Sequence, residues 1–262
     1  MDTGLKDRVA IVAASSQGIG KACAEALAAE SANVALCARN EKTLSATADE
    51  IRKKYGVKVF SSALDVTEPA GVQKFVGDVA KEFGRIDVCV TNAGGPPAKN
   101  FLSLTVEEWR RAFELNLLST VLFAKEVIPH MQKGRWGRII AITSLSVKQP
   151  IPDLILSNSI RTGVVGLVKS LANEFGRDGI LVNNVGPGYT KTERLKSLTA
   201  TRALAAGVSE AQIEGNWAKD TAIGRIAEPE EVAAAVVFLA SEQASAITGQ
   251  TILVDGGTYR GL

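Results

Sequence analysis

The chain is short of several residue types from which specialised sites are commonly built. Its 262 residues include a single histidine, His130, and three cysteines, Cys23, Cys37 and Cys89. No CxxC pair occurs, so the usual zinc ligand sets cannot be assembled and no metal is expected. The cysteines are odd in number, widely spaced and set in apolar runs, which points to buried free thiols in a reducing compartment. An excess of one charge is also lacking. Thirty Lys and Arg oppose 28 Asp and Glu, leaving +2, and no basic run suits a nucleic-acid surface. The opening MDTGLKDRVAIVAAS has no cleavable leader, and no apolar stretch reaches the roughly 18 residues of a membrane helix. These absences leave a globular cytoplasmic protein, 46% apolar and 22% charged, without nucleic-acid or membrane partners.

What is present is alternation. Short runs rich in Val and Ile occur at 8–14, 33–39, 58–66, 86–93, 137–143, 180–185 and 251–257. They are nearly continuous in apolar residues, as parallel strands covered on both faces are. Between them, 18–30, 41–54, 69–83, 106–132, 155–175 and 229–240 carry helical spacing. Thr105 with Glu108 forms a capping box, Pro229 opens a first turn, and Gly56, Gly84, Gly134 and Gly176 mark helix ends. Seven strands alternating with helices predict one α/β domain over 1–262, a doubly wound Rossmann-type parallel sheet. The stretch 187–228 breaks the rhythm and predicts two short helices, a small lid over a site.

A phosphate-binding turn follows the first strand. In AASSQGIG, Gly18 would let backbone approach a pyrophosphate at a helix N-terminus, and Gly20 would let helix and sheet pack closely. The second strand ends in Ala38-Arg39-Asn40, without the carboxylate that would bind an adenosine ribose and repel a 2′-phosphate. A guanidinium at Arg39 favours that phosphate, so NADP(H) is preferred over NAD(H).

With AASSQGIG (13–20), LDV (64–66), TNAG (91–94), ELNLLS (114–119), IIAITS (139–144), VNNVGPG (182–188) and GQTILVDGG (249–257), the chain resembles the short-chain dehydrogenase/reductases. The likeness is to the 3-oxoacyl-acyl-carrier-protein reductase type and covers essentially the whole length. It departs at Ala14, where the family has glycine and where alanine requires a negative φ or strain. The resemblance implies that Ser15, Gln17 and Ile19 line the pyrophosphate, and that Asp65 and Val66 meet the adenine. It further implies that Asn92, Ala93 and Gly94 flank its ribose, and that Pro187, Gly188, Thr190 and Thr192 face the nicotinamide. A homotetramer paired through helices 106–132 and 155–175 and a small-molecule carbonyl or alcohol substrate are implied as well.

The same resemblance implies a catalytic Asn, Ser, Tyr and Lys. Asn116 and Ser144 match the first two. Thirteen residues beyond Ser144 the register falls on Ser157, and four further on Arg161, where the family has tyrosine and lysine. A serine is a far weaker acid than a phenol of pKa about 10, and it is several ångströms shorter. Arg161 keeps a positive charge and could grip the nicotinamide ribose, but does not release a proton near neutrality. Within the loop 145–153, Lys148 is the preferred substitute donor, since burial would lower its pKa. Tyr189 is the nearest tyrosine by motif, while His130 is expected at the opposite edge of the sheet. Two functions follow: an NADP-dependent oxidoreductase with an atypical active site, or an idle dinucleotide-binding sensor or assembly partner.

Overall fold

All seven apolar runs become strands of one sheet in the computed structural model, which describes residues 2–262. They are β1 (Val9–Ala13), β2 (Asn33–Ala38), β3 (Val59–Ala63), β4 (Val88–Thr91), β5 (Gly137–Ile142), β6 (Ile180–Pro187) and β7 (Thr251–Val254). The order is β3-β2-β1-β4-β5-β6-β7, and every pairing is parallel. The expected doubly wound α/β sheet is therefore observed. Its winding reverses between β1 and β4, where such sheets open a crevice at their carboxyl ends.

Alternate residues of each strand serve the two faces. Ala10 and Val12 of β1 join a core with α1 (Gly18–Ala29), α2 (Glu41–Tyr55) and α9 (Pro229–Ala240). Val9, Ile11 and Ala13 join the opposite core with α3 (Pro69–Phe83), α5 (Ser119–Gly134) and α6 (Ile155–Phe175). Two cores explain why the strands read as continuous apolar runs rather than alternating ones.

The helical stretch 106–132 is not uniform. It comprises α4 (Val106–Phe113), a π-helical turn at Glu114–Leu118, and α5. The Thr105–Glu108 capping box and Pro229 at a first turn are both present. Gly56 and Gly84 end their helices in the left-handed region, and Gly176 caps α6, while at Gly134 the cap falls one residue later. Gly134 is the last residue of α5 and Arg135 turns left-handed at φ 47°; Gly176 stays right-handed, and Gly179 turns at φ 78° after the 3-10 turn that follows. Within 187–228 the two expected helices are α7 (Glu193–Ala206) and α8 (Glu210–Asp220). Among the described residues, no helix is long and apolar enough to cross a membrane.

Cys23, Cys37 and Cys89 are free and buried, on α1, β2 and β4. Loss of hydration of the thiolate pushes Cys23 and Cys37 up to about 12, and raises Cys89 as well. The native protein should therefore leave an aromatic disulfide reagent unreacted at pH 8, and all three thiols should react after denaturation. Stoichiometric reaction of the native state would contradict this burial.

Candidate active site

One cleft of about 920 Å³ runs across the carboxyl ends of the strands. Its first wall is the turn after β1. Ala14 takes φ +49°, a left-handed conformation that costs an alanine roughly 1 kcal/mol. Strain, not a negative φ, is thus how this chain accommodates alanine there. Gly18 is also left-handed, at φ +57°. A Cβ on Gly20 would lie 2.3 Å from the Ala14 carbonyl oxygen, so glycine permits the close pass of α1 over β1. No side chain caps α1 and its first turn holds no acid. The opening N–H groups and the positive end of the helix dipole are left for an anion.

Ser16, Gln17, Gly18 and Ile19 line this wall. Ser15 does not. Its hydroxyl is buried against the Cys37 carbonyl at 3.5 Å, because the left-handed residue before it turns the chain over. Ser16 is the wall residue that the sequence reading missed. Gly20 likewise packs beneath the cleft instead of lining it, in the packing role expected of it.

Arg39, Asp65 and Val66 line the far arm, where β2 and β3 end. Arg39 is exposed, and no carboxylate pairs with it among the described residues. Asp65 accepts hydrogen bonds from the Thr67 N–H at 3.0 Å and hydroxyl at 2.8 Å, so it both caps a turn and borders the cleft. Asn92, Ala93 and Gly94 continue the wall after β4, and Asn92 Nδ2 donates to the Ala14 carbonyl at 3.4 Å. Pro187, Gly188, Thr190 and Thr192 form the roof. The Thr192 hydroxyl caps α7, and its methyl sits 3.3 Å from where a Gly18 side chain would begin.

Of the four positions expected to be catalytic, Ser144, Ser157 and Arg161 line the cleft and Asn116 lies behind its wall. Ser144 follows β5 at the start of the 3-10 turn Leu145–Val147 and accepts the Ser146 N–H at 3.1 Å, while Ser157, 6% exposed in the first turn of α6, lies 3.1 Å from the Ser146 hydroxyl. Arg161, one turn along α6, is buried. Its Nη1 donates to Ile142 O at 3.1 Å and Thr143 O at 3.2 Å, and its Nη2 donates to Gly94 O at 3.3 Å. Burial, reinforced by the nearby charge of Arg194, pushes this guanidinium down to about 10. Asn116 sits in the π-helical turn, a device common at functional sites. Its Nδ2 donates to Gly94 O at 2.8 Å, and its buried Oδ1 has no protein partner among the described residues. The carboxamide does not line the cleft itself; it buttresses Gly94, which does.

Lys148 is not part of this group. It caps the 3-10 turn at Leu145–Val147, is exposed, and does not line the cleft. Asn158 on α6 holds that loop by accepting the Ile151 N–H at 3.2 Å and donating to the Ile151 carbonyl at 2.9 Å. His130 does not line the cleft either. Tyr189 does, and its ring stacks on Trp217 of α8 at 5.0 Å and 12°. Arg194 and Arg202 of α7 were not anticipated, although both line the cleft.

The family model for enoyl-(acyl carrier protein) reductase matches residues 13–259. The chain belongs to the short-chain dehydrogenase/reductase family. Among relatives in this family, the 3-oxoacyl-acyl-carrier-protein reductase FabG of Escherichia coli is 37% identical over 252 residues, spanning 96% of this chain and 97% of that one. The L-sorbose reductase of Gluconobacter frateurii, solved with NADPH and L-sorbose, is 33% identical with a TM-score of 0.95, covering 100% of both chains. A short-chain oxidoreductase from Pseudomonas aeruginosa PAO1, solved with NADPH and described as containing an atypical catalytic center, is 30% identical with a TM-score of 0.90. It covers 98% of this chain and is itself covered to 99%.

Proposed function

We propose that the protein is an NADP-dependent oxidoreductase that interconverts a carbonyl and an alcohol at an active site lacking the tyrosine acid. The observation that carries this reading is convergence. Ser144, Ser157 and Arg161 meet in the same cleft as an uncapped helix N-terminus and an unpaired arginine. The residues fit a dinucleotide: backbone N–H groups of 18–20 for the pyrophosphate, Asp65 and Val66 for the adenine, and Arg39 for a 2′-phosphate. Asn92, Ala93 and Gly94 would flank the adenine ribose, with Pro187, Gly188, Thr190 and Thr192 on the nicotinamide side. When bound, NADPH supplies the hydride.

The chain's own residues orient and polarise. The Ser144 hydroxyl donates to the substrate carbonyl oxygen, where charge develops as the bond is reduced. Arg161 adds positive charge beneath it; three of its five N–H groups already hold backbone carbonyls. Asn116 holds the Gly94 carbonyl from behind the cleft wall, and a proton reaches the product oxygen from water in the cleft, a slower route than a phenol. The exposed position of Lys148 outside the cleft supports water over Lys148 as the donor.

Fluorescence titration with NADPH and NADH, followed by NADPH oxidation over a panel of ketones and aldehydes, tests the reading. Failure of both cofactors to bind would overturn it. Tight binding with no turnover of any carbonyl would favour the idle dinucleotide-binding protein instead. Arg39→Glu should weaken NADPH by about 10- to 100-fold, the worth of one charge-assisted hydrogen bond, and leave NADH nearly unchanged. An equal loss for both cofactors would remove Arg39 from the 2′-phosphate.

The proposal extends to a homotetramer. Val106 and Phe113 of α4 are 68% and 43% exposed, a large apolar surface for one short helix. Light scattering should return about four times 27.6 kDa, and Phe113→Glu should yield a smaller species. A monomer in the unsubstituted protein would contradict the pairing.

A further inference from the structure

Besides Arg39, three arginines line the cleft, Arg161, Arg194 and Arg202, and none forms an ion pair among the described residues. Elsewhere Arg8, Arg52, Arg85 and Arg225 each meet a carboxylate. Arg161 is held by backbone carbonyls alone. Arg194 Nη2 donates to Pro96 O at 2.5 Å, and Arg202 Nη2 donates to Pro152 O at 3.1 Å. A guanidinium carries five N–H donors, so most of those on Arg194 and Arg202 have no protein acceptor. Both side chains are only half-exposed, where a cation without a counter-charge is costly.

Helix geometry concentrates these charges. Arg194, Leu198 and Arg202 lie four residues apart on α7 and all three line the cleft, so one stripe of the helix faces it. The carboxylates that border the cleft are Glu193, exposed in the first turn of α7, and Asp65, already engaged with Thr67 at the far arm. Beside the stripe, Tyr189 and Trp217 stack to give a flat apolar wall, with the Arg202 guanidinium 5.5 Å from the Trp217 ring centre. Burial lowers the pKa of both Arg161 and Arg194, and at Arg161 the nearby charge of Arg194 adds to it.

We infer that the substrate is an anionic carbonyl compound, whose carboxylate or phosphate is held by Arg194 and Arg202 while its flat apolar body lies against Tyr189 and Trp217. The planar fork of arginine matches either oxyanion with two parallel hydrogen bonds. The identity of the reacting carbonyl rests on the oxidoreductase reading, whereas the anion site stands on the arginines alone.

Calorimetry on the NADPH-saturated protein, with 4-acetylbenzoate, 4-acetylphenyl phosphate and neutral methyl 4-acetylbenzoate, separates the cases. At least one anion should bind about tenfold more tightly than the ester, and the stronger of the two names the group. Arg194→Gln and Arg202→Gln should each remove about tenfold of that affinity, with the ester changed less than about twofold and Arg202→Lys retaining part of it. The inference is overturned if the ester binds as well as both anions, or if neither anion binds below millimolar concentration. It also fails if the substitutions weaken NADPH instead, since the arginines would then serve the cofactor. NADPH titration of the unsubstituted protein is read separately. Failure there counts against the oxidoreductase reading, and the anion series is then run on the cofactor-free protein.

Discussion

Gly20→Val should abolish measurable NADPH binding and lower the melting temperature by about 3–10 °C, the effect of roughly 1–3 kcal/mol of overpacking in a chain of this size. The first atom added would lie 2.3 Å from the Ala14 carbonyl oxygen and 2.9 Å from Asn92 Nδ2. Neither neighbour can yield easily. Ala14 is already held left-handed, and Asn92 is tied to its carbonyl, so α1 must lift from the sheet. Lifting α1 moves the N–H groups that would meet the pyrophosphate. Losing two charge-assisted hydrogen bonds weakens binding by about 100-fold or more. Gly77 supplies the control, since nothing lies within 4 Å of a Cβ built there on α3. Gly77→Ala should be stabilised by about 0.5–1 kcal/mol with cofactor affinity unchanged. A Gly20→Val protein that melts normally and binds NADPH would show that the turn is not a phosphate site.

What could be read from the sequence, and what could not, follows from the range of the forces involved. Strand and helix identity came from periodicity, which is local, and the parallel sheet followed from alternation and chain handedness. The π-helical turn at Glu114–Leu118 left no such trace. The three leucines of ELNLLS suit an α-helical turn as well as a π-helical one, and the bond from Asn116 to Gly94 is a tertiary contact. Ser15 and Ser16 exchanged roles because one left-handed residue, Ala14, reverses which side chain faces out. Arg135 usurped the stop expected of Gly134 for a similar reason. Arg194, Leu198 and Arg202 share a spacing visible in the sequence, but only the folded sheet decides which stripe of α7 looks inward. The exposure of Lys148 was not legible, because a loop has no period from which burial can be read.

Ser157→Tyr combined with Arg161→Lys should raise carbonyl turnover by about 10²- to 10⁴-fold, the usual worth of a positioned general acid. Ser157 already occupies the required place, in the first turn of α6 and on the cleft wall beside Ser144. Its hydroxyl instead points to Ser146 at 3.1 Å. A phenol from the same backbone position reaches further into the cleft, and a neighbouring ammonium lowers its pKa from about 10. Arg161→Lys has a cost of its own. The shorter set of donors cannot serve Ile142 O, Thr143 O and Gly94 O together, and each buried carbonyl left without a partner costs about 1–3 kcal/mol. Melting curves must therefore accompany the kinetics, and Ser157→Tyr alone should recover part of the rate. Reduction by the double variant requires the protonated phenol, so its rate should fall as pH rises through the tyrosine pKa. Ser157→Phe with Arg161→Lys supplies the ring without the acid and should gain nothing. An equal gain from phenylalanine would mean that filling the cleft, rather than proton donation, limits this enzyme. No gain from the double variant, with NADPH still bound, would mean that Ser157 and Arg161 serve another route to the same product.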